Sequence, residues 1–141
     1  MRKVLLYSML SVLLLASCDL FKDFRLDGMW QLKTVQKEGE SPIRVDTIYY
    51  SFHREITFSF TLLENPKQAL YPYYGYIDMP SDDKVHVLID NKHKDNGRIA
   101  NFLRLSGWSS ADIVFDIKKY SNSDLVLYDN VGKKTYTLKK F

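Results

Sequence analysis

From Gly28 onward, apolar and polar residues alternate in short runs, the period of a half-buried strand. The cleanest run is 55–62, where Ile56, Phe58, Phe60 and Leu62 alternate with Glu55, Thr57, Ser59 and Thr61. A run over 29–37 puts Trp30, Leu32 and Thr34 on one face, and 47–52 does the same for Ile48, Tyr50 and Phe52. His53-Arg54 between two runs reads as a turn or a bulge. The stretch 71–79 is apolar on both sides, with Tyr73, Gly75 and Ile77 on one face and Tyr74 and Tyr76 on the other. Gly75 inside that run marks a bend or a close backbone approach. Val85, Val87 and Ile89 align next, then Ile113, Phe115 and Ile117, then Leu125 and Leu127, then Tyr136 and Leu138. Breaks fall at 38–42, 65–67, 80–83, 121–123 and 130–133, and the last reads as a hairpin turn.

The period changes once. Ile99, Phe102 and Leu103 stand at i, i+3 and i+4, a helical stripe. Asp95 or Asn96 suits its start and Gly107 its end, so one short helix is expected near residues 97–106. About eight strands, tight turns and one helix make an all-β antiparallel up-and-down meander. Closure into a barrel leaves no exposed edge; a two-sheet sandwich is the alternative.

The first residues follow a different rule. Arg2 and Lys3 precede an apolar segment, 4–15, broken by Ser8 and Ser11. It is shorter than the roughly 20 apolar residues that span a bilayer. A basic start, a short apolar middle and small residues at the end describe a secretory signal; the alternative is an N-terminal core helix. Leu15-Ala16-Ser17-Cys18 resembles the bacterial lipobox. The resemblance implies cleavage before Cys18, acylation of its sulfur and new amine, and a permanent membrane anchor, since one chain alone holds a protein only marginally. The chain then divides into a lipoprotein signal peptide at 1–17, a tether at 18–27 and one folded domain at 28–141. Lys22-Asp23, close behind Cys18, is a weak pointer to surface display.

Composition refines this. Cys18 is the sole cysteine, so a disulfide scaffold and a cysteine-based zinc site are excluded. The chain holds 20 basic and 17 acidic residues; losing Arg2 and Lys3 leaves the mature body near neutral, with no bulk case for nucleic-acid binding. Its 10 Tyr, 8 Phe and 2 Trp suit strands and amphipathic surfaces.

Gly28-Met29-Trp30 at the head of the first strand is similar to the Gly-x-Trp signature of lipocalins. Residues 102–141 resemble lipocalin-like lipoproteins of the Bacteroidota, through Gly107-Trp108, Phe115-Asp116-Ile117, Leu125-Val126-Leu127, then Gly132-Lys133-Lys134-Thr135-Tyr136 and Lys139-Lys140-Phe141. The resemblance implies a lipocalin-like barrel whose first-strand Trp plugs the closed end. It departs from that family in having no second Thr-Asp-Tyr motif and no arginine after Arg104. Lys139 or Lys140 is left to take the place of the arginine that packs on that Trp.

Candidate chemistry is sparse. His53, His86 and His93 share no metal-type spacing and read as surface residues, and the acidic turns lack the order of a calcium loop. No nucleophile elbow, phosphate loop or dinucleotide fingerprint occurs, so neither catalysis nor a cofactor is expected. Two functions remain. One is a monomeric, membrane-anchored envelope protein, expected on the outer membrane, holding a small apolar or amphipathic ligand among Trp30, Phe58, Phe60 and Tyr73. The other is an interaction module with a filled barrel that docks a protein or glycan on an exposed patch around Tyr74 and Tyr76, within the candidate binding run Tyr71, Tyr73, Tyr74 and Tyr76.

Overall fold

The alternation closes into a cylinder. In the computed structural model the described residues are 25–53, 57–63, 72–90 and 96–141. The export segment with Cys18, the pair Glu55-Ile56, the 65–67 break, Tyr71 and His93 lie outside them. The strands are β1 (Gly28–Lys37), β2 (Ile43–Arg44), β3 (Ile48–His53), β4 (Thr57–Leu62), β5 (Tyr73–Ser81), β6 (Lys84–Ile89), β7 (Asp112–Tyr120), β8 (Asp124–Asp129) and β9 (Lys134–Lys140), with helix α1 (Asn96–Ser106) between β6 and β7. Pairing runs antiparallel from β1 through β3 to β9, and β9 pairs back onto β1. That last pairing excludes the sandwich. Eight full strands form an up-and-down barrel, and β2 is a two-residue addition beside β1.

β2 and β3 together act as one broken partner of β1. β3 pairs with the first half of β1 (Gly28↔Phe52 to Gln31↔Tyr49) and β2 with the second (Thr34↔Arg44, Val35↔Ile43). The break is at Asp46, whose φ is 60°. Its carboxylate accepts from Lys33 Nζ at 3.0 Å and from Arg44, and its carbonyl accepts from Gln31 at 2.7 Å. The Arg44 and Lys33 contacts hold the Asp46 carboxyl below its usual range.

A bulge in β1 corrects the expected face. Register against β9 shifts between Leu32 and Thr34. Beyond it Val35, not Thr34, stands opposite the buried Tyr136 and packs against the core. One extra residue flips every later side chain, which uniform alternation cannot foresee. β5 also runs on through Pro80 to Ser81, leaving Asp82-Asp83 as the turn.

Elsewhere the inward faces follow the alternation. Ile48, Tyr50 and Phe52, then Phe58 and Phe60, then Val85, Val87 and Ile89 are buried. Gly75 sits on the inward face, where an added Cβ would meet the Leu88 carbonyl oxygen at 2.6 Å. The β5–β6 backbones therefore close only because no side chain is there. Helix α1 ends at Gly107, whose φ of 69° and N–H bond to the Leu103 carbonyl (2.9 Å) form a left-handed cap.

The two ends differ. Where β1 starts, Leu26 is buried and its carbonyl accepts the Trp30 indole N–H at 2.8 Å. Lys140 lies opposite Trp30, with its ammonium 4.5 Å from the ring centroid, so this lysine takes the position expected of the missing arginine. Tyr120 closes the same end, 6.2 Å from Trp30. The β6–α1–β7 connection belongs to the other end.

Candidate functional site

Three surfaces are candidates: the barrel axis, the outer wall of β5–β6–β7, and a cleft beside that wall.

The axis is filled by aromatic side chains. Trp30, Phe58 and Phe60 have no exposed surface, and Tyr73 is buried at the α1 end. A side chain with no exposed surface borders no water-sized void, so among the described residues these three border other side chains rather than solvent. What fills the centre is Trp108, which follows the helix cap. Its ring lies 5.6 Å from Tyr50, 5.5 Å from Phe58, 5.1 Å from Phe102 and 4.9 Å from Phe115. These rings come from β3, β4, α1 and β7, so contact with all four places the indole across the lumen. Edge-on geometry predominates, the favoured arrangement for aromatic pairs.

The indole is also hydrogen-bonded, donating from Nε1 to the Tyr50 hydroxyl at 2.8 Å. Burial drives the Tyr50 phenol well above its ordinary range, so it stays neutral. Tyr136 is raised likewise, chiefly by burial, and donates to the Gly107 carbonyl at 3.0 Å. Lys134 Nζ reaches the same carbonyl at 2.6 Å.

One buried carboxylate holds this arrangement from behind. Asp129, fully buried at the end of β8, accepts from the backbone N–H groups of Ser109, Val131 and Gly132 at 3.1, 3.0 and 2.9 Å, and from Ser109 Oγ at 2.9 Å. It ties the residue after Trp108 to the β8–β9 hairpin. Sequence reasoning missed this role for Trp108 and Asp129. The available signals were the indole beside a helix-capping glycine and the aspartate opening a tight turn.

At the α1 end, Asn101 donates to the Tyr73 hydroxyl at 2.6 Å and the Arg98 guanidinium lies 4.9 Å from the Tyr73 ring centroid. Phe102 meets Phe60 and Tyr73 at 5.2 Å each. Of the residues proposed to surround a ligand, Trp30, Phe58, Phe60 and Tyr73 thus share one packed core, where their neighbours are other side chains.

Tyr74 and Tyr76 point outward, 55% and 46% exposed. Tyr71 lies outside the described residues. On the outer wall Tyr76 stands opposite Leu88 and Thr57, Leu88 opposite Asp112, and His86 opposite Asp78 and Val114. Leu88 and Val114 are exposed too, so the four apolar side chains form one field across three strands. His86 Nε2 lies 2.6 Å from Asp112 Oδ1 at its border.

The cleft next to this field has a volume of about 420 Å³. It runs between the outer face of β7 (Asp112, Val114, Asp116) and the hairpin at Asn130-Val131. Lys84, Lys118 and Asn130 all bond Asp116 and hold its carboxyl far below the usual carboxylate range, Lys84 most strongly. Among the described residues, no three His, Cys, Asp or Glu side chains gather to hold a metal ion.

Comparison with known proteins agrees with this architecture. A family model described as "Lipocalin-like domain" matches residues 13–141. No curated protein matches the chain. An uncharacterized protein from Bacteroides eggerthii superposes with a TM-score of 0.68 at 21% identity, over 82% of this chain and 99% of its own. A lipocalin-like protein from Bacteroides uniformis does so with a TM-score of 0.67 at 20% identity, over 83% and 99%. At such identities the likeness concerns the fold alone.

Proposed function

The chain belongs to the lipocalin-like domain family, and on that premise we propose that it is a lipid-anchored, non-enzymatic binding protein of the cell envelope that engages its ligand on the outer wall of the barrel. The observation that carries this is the contrast between the two tyrosine faces. Trp108 occupies the lumen where a carrier would hold cargo. Tyr74, Tyr76, Leu88 and Val114 face solvent together. Tyrosine combines flat apolar area with one hydroxyl and few rotatable bonds, which suits a glycan or a protein surface. The anchor is the acylated Cys18, and the address is the outer membrane, on its periplasmic or surface face.

A photo-crosslinking residue placed at Tyr76 in cells tests the docking face. A discrete adduct at position 76, absent at the exposed Ile43 beside β1 on the opposite wall, supports it; no adduct at either 74 or 76 refutes it. Fatty-acid labelling tests the anchor, since Cys18→Ser should abolish incorporation.

The family premise favours a second reading, a small apolar ligand inside the barrel. It requires Trp108 to leave the lumen, and Gly107 at the cap is the one residue between it and α1. Native mass spectrometry of protein from its own envelope separates the two: a bound small molecule supports this reading, the bare lipidated mass the outer wall.

A further inference from the structure

We propose that the closed end of the barrel rests against the membrane surface, with Phe141, Met29 and Tyr120 as its contact. This rests on the lipid-anchor reading of Cys18. The described chain begins at Arg25, beside the start of β1, so the anchor approaches the barrel from the closed end. Residues 19–24 separate Cys18 from Arg25. In any conformation the chain from Cys18 to Arg25 reaches at most about 25 Å. A strand of nine residues tilted in a barrel rises about 25 Å. The greatest reach of the tether is therefore about one barrel height, and the closed end is the end nearer the bilayer.

The side chains at that end suit an interface. Phe141 is 75% exposed and follows β9, its N–H bonded to the Met29 carbonyl at 2.9 Å. Met29 is exposed beside it, and Tyr120 is exposed by Trp30 at the same end. Phe141 is held edge-on against Tyr49 at 5.1 Å, so it projects from a fixed position. Aromatic rings and the apolar stems of lysines favour the headgroup boundary. Among the described residues of the rim, Arg25 bonds the Asp82 carbonyl and lies 3.9 Å from its carboxylate, Lys139 pairs with Asp124, and Lys140 is held by the Asp27 carbonyl and the Trp30 ring. The contact residues are apolar, so vesicles of zwitterionic phosphatidylcholine, with no net charge, suffice. Val131 and Ile43 are as exposed at the other end, but they lie a barrel height away from the anchor.

The test uses the lipidated protein, whose one native thiol is taken up by acylation. Asn122→Cys, in the exposed β7–β8 turn of the closed end, and Val131→Cys, at the far end, are each labelled with an environment-sensitive fluorophore. Both are reconstituted in phosphatidylcholine vesicles with lipid-borne quenchers. At least twofold stronger quenching at position 122 than at 131 is expected, insensitive to 0.5 M salt, and falling by about half when Phe141→Ser is added. Flotation with the vesicles but equal quenching at both positions overturns the rim contact while the anchor stands. Unequal quenching that ignores Phe141→Ser shows proximity by tether alone, and also overturns it. Failure to float overturns the anchor and the rim contact together.

Discussion

Replacing Trp108 by alanine asks whether the lumen is filled as described. The indole is 4% exposed and packs against four other rings. Burying about 200 Å² of tryptophan surface at about 25 cal/mol per Å² is worth roughly 5 kcal/mol, and measured truncations of buried Trp and Phe cost about 3–5 kcal/mol. The change also removes the donor to the Tyr50 hydroxyl, leaving a buried polar group short of a partner at a further cost of about 1 kcal/mol. Trp108→Ala should thus lose about 4–5 kcal/mol in urea unfolding followed by far-UV circular dichroism. Trp108→Phe keeps a ring but not the N–H, and should lose about half as much. The alanine variant should also regain stability with added indole, because an apolar hole lined by rings binds a ring-sized guest. A loss below about 1 kcal/mol, without rescue by indole, would refute the claim that this side chain fills the barrel.

Gly75→Ala should destabilise by more than about 2 kcal/mol, since its Cβ would meet the Leu88 carbonyl oxygen, which cannot give way cheaply; urea midpoints of this variant and of the parent protein make the comparison. Asp129→Ala should cost about 2–4 kcal/mol, because it strips four hydrogen bonds from the 109 and 131–132 backbone and the Ser109 hydroxyl, with Asp129→Asn intermediate; the same unfolding experiment checks it. Lys139, then Ser123, lower the Asp124 carboxyl to about 2. A carboxyl depressed in the folded state contributes stability that is present above its unfolded value and lost as pH falls through the folded one. Urea midpoints should fall between about pH 4 and pH 2, and Asp124→Asn should flatten that fall; an unchanged slope contradicts the pairing.

Much of the barrel was legible because its inward face repeats every second residue. Phe58 and Phe60, Val85 to Ile89 and Leu125 and Leu127 keep one phase within their strands, so a period of two is enough to place them. Where the backbone adds a residue, the pattern misleads. The β1 bulge exchanges Thr34 for Val35, and nothing in 28–37 marks it. The break at Asp46 was equally hidden, since a non-glycine residue in the left-handed region depends on partners such as Lys33 and Arg44.

The candidate site divides along the same line. That Tyr73 and Tyr74 face opposite ways follows from alternation alone. That Trp108 crosses the lumen does not, because it depends on a helix cap, a buried carboxylate twenty residues away in sequence, and rings from four elements. Large aromatics hinted at a filled interior, but only their three-dimensional arrangement shows that the filler comes from the connection between β6 and β7.

The most direct measurement is a crystal structure of the protein purified from its own envelope. An occupied outer wall, or a bare one, with the Trp108 indole still bonded to Tyr50 is the expected result. A small molecule lying between Phe58, Phe60 and Tyr73, with Trp108 swung out of the barrel, would contradict it.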